Sequence, residues 1–548
     1  MHAPTPRNPP YRAMIVTPQP EATDAGAEVL HVGGNAVDAA VAAALVQGVV
    51  DPLMCGLGGM AVIQIARPDG RRHVIDGLGS VPLNSTDDQW ESIHLGQSED
   101  GFNHYVEGMI NETGPTAVTT PGALRAWQRA HEAYGSLPWA DLFEAATRTA
   151  RAWMWRPHNA TMAYPTPPGS LRMGIGDKLG VCADGRRIYL DAAGNRPAVG
   201  QVIENPELAE TLAHLAAHGA EDFYTGELAG VLGTAVRDAG GIMDAADLAA
   251  YELLEPAPIT GSYRGLEVSV PPPNAGGVQT METLALMDRF DVAGLDHNSP
   301  EHVRILVEAQ KHALHDKERL WSTPDADRAA FEALLEPARL DAIAARIRDG
   351  ERFDLEGSRA GLDLSFESKD TTHLNVMDDS GFTVSMSHTL GTPSGFIAPG
   401  TGFMLNGAMQ PFDPRPGRTN SIVPGARRNT TMTPTIVFHA GEPVVSIGAP
   451  GAAWITPAIA QGLSNVLDFG MTAQEAVMAP RVVATNNTID VSNAVPGRTR
   501  RALTDLGYTV RPSPLTYAFA GVHAITRFDG TFAGGADPQR DGYAAGVR

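Results

Sequence analysis

Cysteine is nearly missing from this chain: 548 residues contain only Cys55 and Cys182. Two thiols cannot make a disulfide framework, and they suit a reducing compartment or simple core packing. Positive charge is also short. Lys and Arg number 41 against 63 Asp and Glu, a formal net charge of −22. No basic cluster relieves that imbalance, which argues against nucleic acid and against an anionic membrane as partners. Long apolar runs are absent as well. Met1 to Pro10 is polar and proline-rich, without the apolar stretch of a secretory signal. Ala36–Val50, the most apolar early stretch, carries Asp38 and Gln47 and is too short to span a bilayer. The expectation is a cytoplasmic protein with no cofactor.

The residues that are present fall into an order. Ala25–Leu30 reads as the end of a helix, Gly33-Gly34 as a turn, and Asn35 as the N-cap of an Ala-rich helix over Ala36–Gln47. Small residues on nearly every side of that helix predict burial, close against a sheet. Gly56-Leu57-Gly58-Gly59 lies between this helix and a strand over Ala61–Ala66. A dinucleotide loop has the opposite order, strand first and helix after, so these glycines read as a close-packing turn. Further strands are expected over residues 71–83, Pro434–Phe438, Val444–Ile447, Val482–Val491 and Gly521–Asp529. Helices are expected over Pro121–Tyr134, Trp139–Trp153, Pro206–His218, Glu221–Ala239, His302–Trp321, Trp454–Leu467 and Thr472–Ala479, with another opening after Pro271–Gly277. His312, His315 and Asp316 share a helix face, but no further ligands follow at a metal-site spacing, so no metal is expected. Residues 351–370 read as an exposed acidic loop, where chain cleavage is physically possible. The whole suggests one α+β body of sheets covered by helices.

The most informative stretch is Asp370-Thr371-Thr372-His373-Leu374-Asn375-Val376-Met377, then the turn Asp378–Gly381, then Phe382–Thr389. Both runs alternate apolar and polar residues, a hairpin signal with one face in a core. With a three-residue loop, Asp379 to Gly381, positions summing to 760 face each other. Thr371 then lies opposite Thr389, about 5 Å away at Cβ. A four-residue loop breaks the pairing. Two threonines in strands can reflect β-propensity alone. They can also be chemistry, because a threonine hydroxyl becomes a nucleophile when a base lies beside it. The α-amine of the same residue is such a base if the Asp370–Thr371 bond is cut.

Along nearly its whole length the sequence resembles the γ-glutamyltranspeptidase family of N-terminal-nucleophile hydrolases. The resemblance is carried by Gly33–Ala40, Gly56–Gly59, Pro121-Gly122, Glu308 with His315-Asp316, Thr371-Thr372-His373, Asn429–Thr435, Gly448–Gly451, Ala479–Arg481 and Asp537–Gly542. It implies a four-layer αββα sandwich made as one precursor and cut before Thr371. The products would be a large chain, 1–370, and a small chain, 371–548, as one pair or a dimer of pairs. By the same resemblance Thr371 is the nucleophile and its freed amine the base. Thr389 would hydrogen-bond that nucleophile, and the N–H groups of Gly451 and Ala452 would form the oxyanion hole. Thr430 and Thr431 replace a serine pair that binds the substrate carboxylate.

Two departures bear on the substrate. Where γ-glutamyl-binding members carry an arginine that grips the α-carboxylate, this chain has Leu78. Where they carry a glutamine and an aspartate, the latter holding the α-amine, it has Ala408 and Pro411. Arg427 or Arg428 could replace the missing cation. The expected activity is hydrolysis of a small amide through an acyl-enzyme, with an acyl group other than γ-glutamyl. The alternatives are a γ-glutamyl transferase or glutathione hydrolase with a relocated clamp, an oxamate-type amide or C–C hydrolase, and a binding relic of the fold.

Overall fold

The structure is a computed structural model, described over residues 11–98, 101–321, 328–355, 370–484, 487–513 and 519–548. Its principal strands are β1 (Ala13–Thr17), β2 (Met60–Ala66), β3 (Arg72–Gly77), β4 (Ile259–Tyr263), β5 (Leu266–Val270), β6 (Thr372–Asp378), β7 (Thr383–Thr389), β8 (Thr435–His439), β9 (Glu442–Gly448), β10 (His523–Phe528), β11 (Thr531–Ala536) and β12 (Tyr543–Val547). They form two six-stranded sheets, ordered β12-β1-β6-β7-β2-β3 and β11-β10-β9-β8-β5-β4. Both sheets draw strands from either side of residue 370. A cut there would leave two chains that share both sheets.

Side-chain alternation decides how the layers stack. On β6 and β7, Leu374, Val376, Val384 and Met386 point to one side. They pack with Ile15, Ile63 and Ile65 against α1 (Pro20–His31) and α2 (Ala36–Val50). Every residue of α2 except Gly48 is buried, so its alanines let the helix lie close on the sheet. Asn35 caps it, accepting from the N–H groups of Val37 and Asp38 while Asp38 accepts from Asn35. On the outer side of the second sheet, Val268, Val437, Val445 and Ile447 pack against α3 (Gly277–Met287), α4 (Pro300–Trp321) and α5 (Ile455–Leu467). The layers are helix, sheet, sheet, helix. Among the described residues no helix is long and apolar enough to cross a membrane.

The other side of the hairpin is buried too. His373, Asn375 and Met377 face the second sheet. Asn375 Nδ2 donates to the carbonyl of His523 (2.9 Å), and its Oδ1 accepts from Ser385 (3.0 Å) and Ser446 (2.6 Å). Polar residues at alternate positions therefore mark a hydrogen-bonded seam between two sheets, where solvent would be the usual neighbour.

Several expected elements differ in detail. The strand over Val482–Val491 is a short hairpin, Val482–Ala484 paired with Thr488–Val491. The helix over Glu221–Ala239 breaks at Gly226, because the Asp222 carboxylate accepts from the N–H groups of Glu227 and Leu228 and starts a new helix. Of the expected loop, residues 356–369 lie outside the described residues. Asp370, at its end, is buried and not exposed.

The seam and the adjoining core hold neutral imidazoles. Burial pushes His373 and His388 down to about 3, and His523 well below its ordinary value. An unfolded histidine takes a proton below about 6.5, and the folded one does not until about 3. Their stabilising effect is therefore complete above pH 6.5 and is lost as the pH falls, by about 2 kcal/mol for each of His373 and His388 at pH 5. Glu282, raised to about 8 by burial and by Asp316, acts in the opposite sense over the same range. The diagnostic is thus a difference between variants. In denaturant melts of a Thr371→Ala background, His388→Gln should lose about 2 kcal/mol less than its parent between pH 7.5 and 5. Equal losses would refute this account of the buried imidazoles.

Candidate active site

Strands β6 and β7 pair Thr372 with His388, His373 with Ser387 and Met377 with Thr383. This is the register in which positions sum to 760. One residue further, Thr371 reaches Thr389: its Oγ1 donates to Thr389 Oγ1 at 3.1 Å. Thr389 Oγ1 also accepts from the N–H of Gly391 (2.9 Å), which fixes the second threonine in turn. The neighbouring Thr372 accepts from Gln47 of α2 at 3.0 Å. Gly59 belongs to this packing, since a Cβ there would stand 2.4 Å from the carbonyl oxygen of Thr389. The glycine turn is a place of close approach.

Thr371 has φ +117°. A β-branched residue in that region is strained by about 1–3 kcal/mol, so it must be held there by its surroundings. Arg540 supplies part of the hold, donating to the carbonyl of Thr371 at 3.2 Å. The strain sits on the residue that follows the Asp370–Thr371 bond.

Across from the threonines, the chain leaves β9 and turns at Gly451 and Ala452 before α5. Gly451 has φ +143° and Ala452 φ +51°. A Cβ on Gly451 would lie 2.6 Å from that of Ala520, so glycine is required twice over, by torsion and by space. Thr431 Oγ1 donates to the carbonyl of Ala452 at 2.8 Å and fixes this turn to the Thr430-Thr431 pair.

Thr371, Thr389, Thr430, Thr431 and Ala452 line one cavity, together with Asp370, Phe102, Arg172, Gln410 and Arg428. Leu78, Ala408 and Pro411, expected to face the substrate, are not in its wall. Leu78 and Ala408 belong to an apolar cluster with Met60, Val62, Val74, Ala275 and Met432. The carbonyl of Pro411 accepts from Asn420 Nδ2 at 2.5 Å. The two arginines separate cleanly. Arg427 stacks on Tyr251 and donates to the carbonyl of Leu78 at 2.6 Å, while Arg428 reaches the cavity.

Arg428 is 6 % exposed. Its guanidinium lies over the ring of Phe102, one nitrogen approaches the sulfur of Met60 at 3.8 Å, and Nε has no hydrogen-bond partner. Burial holds its pKa down to about 10, against the upward pull of Asp370. The nearby cations differ. Arg172 and Lys178 each bond Glu112 at 2.8 Å, and Gln410 donates to the same carboxylate at 2.8 Å. Although burial raises Glu112, the two cations hold it at about 2. Nothing in the sequence spacing ties Glu112 to Arg172, Lys178 or Gln410. These residues could be found only from the fold.

No group of three or more His, Cys, Asp or Glu suited to a metal converges among the described residues. His312 of α4 stacks on Phe353, and Asp316 pairs with Arg339.

This layered sandwich, with a threonine hairpin at its centre, is the N-terminal-nucleophile hydrolase fold. Comparison with known proteins narrows it further. A family model described as gamma-glutamyltranspeptidase matches residues 22–547, and the chain belongs to that family. It is 34 % identical over 538 residues to the "Acylase ACY 1 proenzyme" of Pseudomonas sp. (strain SE83), covering 97 % of this chain and 93 % of the relative. It is 29 % identical over 488 residues to the "Glutathione hydrolase proenzyme" of Escherichia coli (strain K12), covering 86 % and 81 %. The crystal structure of cephalosporin acylase from Bacillus halodurans superposes with a TM-score of 0.84 at 27 % identity, covering 100 % of this chain and 98 % of that one. These relatives are enzymes, hydrolases and acylases, and the first two are named as proenzymes.

The turn opposite the threonines yields a stability test with opposite signs at adjacent residues. In the Thr371→Ala background, Gly451→Ala should lower stability by about 1–3 kcal/mol through clash and torsional strain. Ala452→Gly, which relieves a positive φ, should leave it unchanged or raise it slightly. Calorimetry of the two variants decides; a tolerated Gly451→Ala would mean that the turn is not built as described.

Proposed function

We propose that the chain is a self-processing amidohydrolase whose nucleophile is Thr371. The observation that carries this is the Thr371–Thr389 hydroxyl pair, on a residue with strained backbone and in the wall of a cavity that Ala452 also lines. In processing, Thr371 Oγ adds to the carbonyl carbon of Asp370. The C–N bond then breaks, the nitrogen takes the proton given up by Oγ and leaves as the α-amine, and an ester joins Asp370 to Oγ. One water hydrolyses the ester, leaving the Asp370 carboxylate and a free Thr371 amine and hydroxyl.

In turnover that amine takes the Oγ proton as the hydroxyl attacks the substrate amide, and returns it to the leaving amine. The N–H groups of Gly451 and Ala452 stabilise the oxyanion, each donor being worth about 2.7–4 kcal/mol. Water resolves the acyl-enzyme. The acyl group is anionic: Arg428 is a buried cation whose Nε has no hydrogen-bond partner, and Thr430 and Thr431 line the same wall. A γ-glutamyl group would bring an ammonium as well. Among the described residues the one acid in the wall is Asp370, which becomes a chain end on cleavage, and nearby Glu112 is already engaged by three donors. The names of the glutathione hydrolase relatives favour γ-glutamyl transfer or hydrolysis as the second reading.

Intact-mass measurement should find two chains meeting at Asp370/Thr371, and Thr371→Ala should stay whole. Thr389→Val should slow both processing and turnover by about tenfold, the equivalent of one hydrogen bond, while Thr389→Ser keeps much of both. A wild type that is active and uncut would sink the mechanism.

Substrate choice is read with p-nitroanilides. The glutaryl compound, which is γ-glutamyl without its amine, should exceed the γ-glutamyl one in kcat/KM by about tenfold or more. Arg428→Met should lower the glutaryl rate by one to two decades, as expected for a charged hydrogen bond of about 1.5–3 kcal/mol, and barely change that of neutral butyryl. Faster γ-glutamyl release would select the second reading.

A further inference from the structure

Asp370 is an unusual residue to find beside a scissile bond. The residue is 2 % exposed and forms part of the wall that also contains Thr371 and Arg428. Burying a carboxylate is costly unless cations answer it, and burying a guanidinium is costly on the same terms. Of the two arginines that line the cavity among the described residues, Arg172 is held by Glu112, which also takes the nearby Lys178. Arg428 is different. Asp370 is the one acid among the described residues that lines the cavity with it, and that carboxylate pulls the Arg428 pKa upward against burial.

From this we infer that the Asp370 side chain fills the acyl-anion subsite of the precursor and, through Arg428, positions its own carbonyl for attack by Thr371. This rests on the self-cleavage reading above and assigns Asp370 a part in it. Asp370 is a positioning residue: its main-chain carbonyl reacts, and its side chain holds that carbonyl in place. The precursor is then a self-substrate complex whose anion subsite is closed to other carboxylates. Cleavage frees Asp370 as a chain end, and the subsite becomes available to the acyl group of a substrate. One arginine would serve processing first and turnover afterwards.

Processing rates test the first half. Intact mass against time should show Asp370→Ala and Asp370→Asn cutting about tenfold or more slowly than wild type, with Asp370→Glu partly restored. Arg428→Met should slow cutting similarly. The double variant Asp370→Ala/Arg428→Met should be no slower than either single one, because both remove one interaction. Acetate, at tens of millimolar, should speed Asp370→Ala and leave wild type unchanged.

The second half is read by thermal shift in uncut protein, with succinate as the probe because it ends in the carboxymethyl group of an aspartate side chain. Thr371→Ala should show no succinate-dependent shift. Thr371→Ala/Asp370→Ala should show one, and adding Arg428→Met should abolish it. Wild-type cutting rates for Asp370→Ala, multiplying effects in the double variant, or equal succinate shifts with and without Asp370 would each overturn the inference while leaving Thr371 as nucleophile. A wild type that never cuts at Asp370/Thr371 would overturn the self-cleavage reading, and this inference with it.

Discussion

The structure depends on one register. If β6 slipped by a single residue against β7, Thr371 would lose Thr389, and every side chain of β6 would change faces. Leu374 and Val376 would turn into the polar seam, and Asn375 would enter the core under α2. The hydrophobic face and the Asn375 hydrogen bonds therefore hold the same alignment that brings the two hydroxyls to 3.1 Å. Stability and the candidate chemistry are enforced by the same contacts.

Around that register the site is assembled from distant pieces by close approach. Gly59 lets the turn after α2 rest on the Thr389 carbonyl, and Gly451 lets the turn before α5 rest on Ala520. Gln47 reaches from α2 to Thr372, and Arg540 reaches from near the C-terminus to Thr371. The strain at Thr371 is sustained because these neighbours leave it no other conformation. The cavity accumulates buried charge: Arg172 is bonded by Glu112, and Arg428 shares the wall with Asp370.

Much of this was legible in the sequence, and the reasons are local. The hairpin followed from alternation and a short Gly turn, and α2 from an N-cap before a run of alanines. The expected pairing of Thr371 with Thr389 needed only the loop length. What was not legible is long-range. Nothing at Ala13–Thr17 or Tyr543–Val547 says that these strands lie side by side, and both went unanticipated. The charged network of Glu112, Arg172, Lys178 and Gln410 joins residues far apart that share no motif. Leu78 and Pro411 were read as substrate-facing because matching positions are so in similar proteins. In this fold they are not part of the cavity wall, and of the two arginines the sequence offered, Arg428 is the one that reaches it.

The central claim is that the acyl group of the substrate is carried on the hydroxyl of Thr371. The most direct test is rapid acid quench of the processed protein during turnover of glutaryl-p-nitroanilide, followed by peptide mass mapping. The account predicts a glutaryl ester on the N-terminal peptide of the small chain, at Thr371. An ester at any other residue, or p-nitroaniline released in a burst with no acyl-peptide formed, would contradict it.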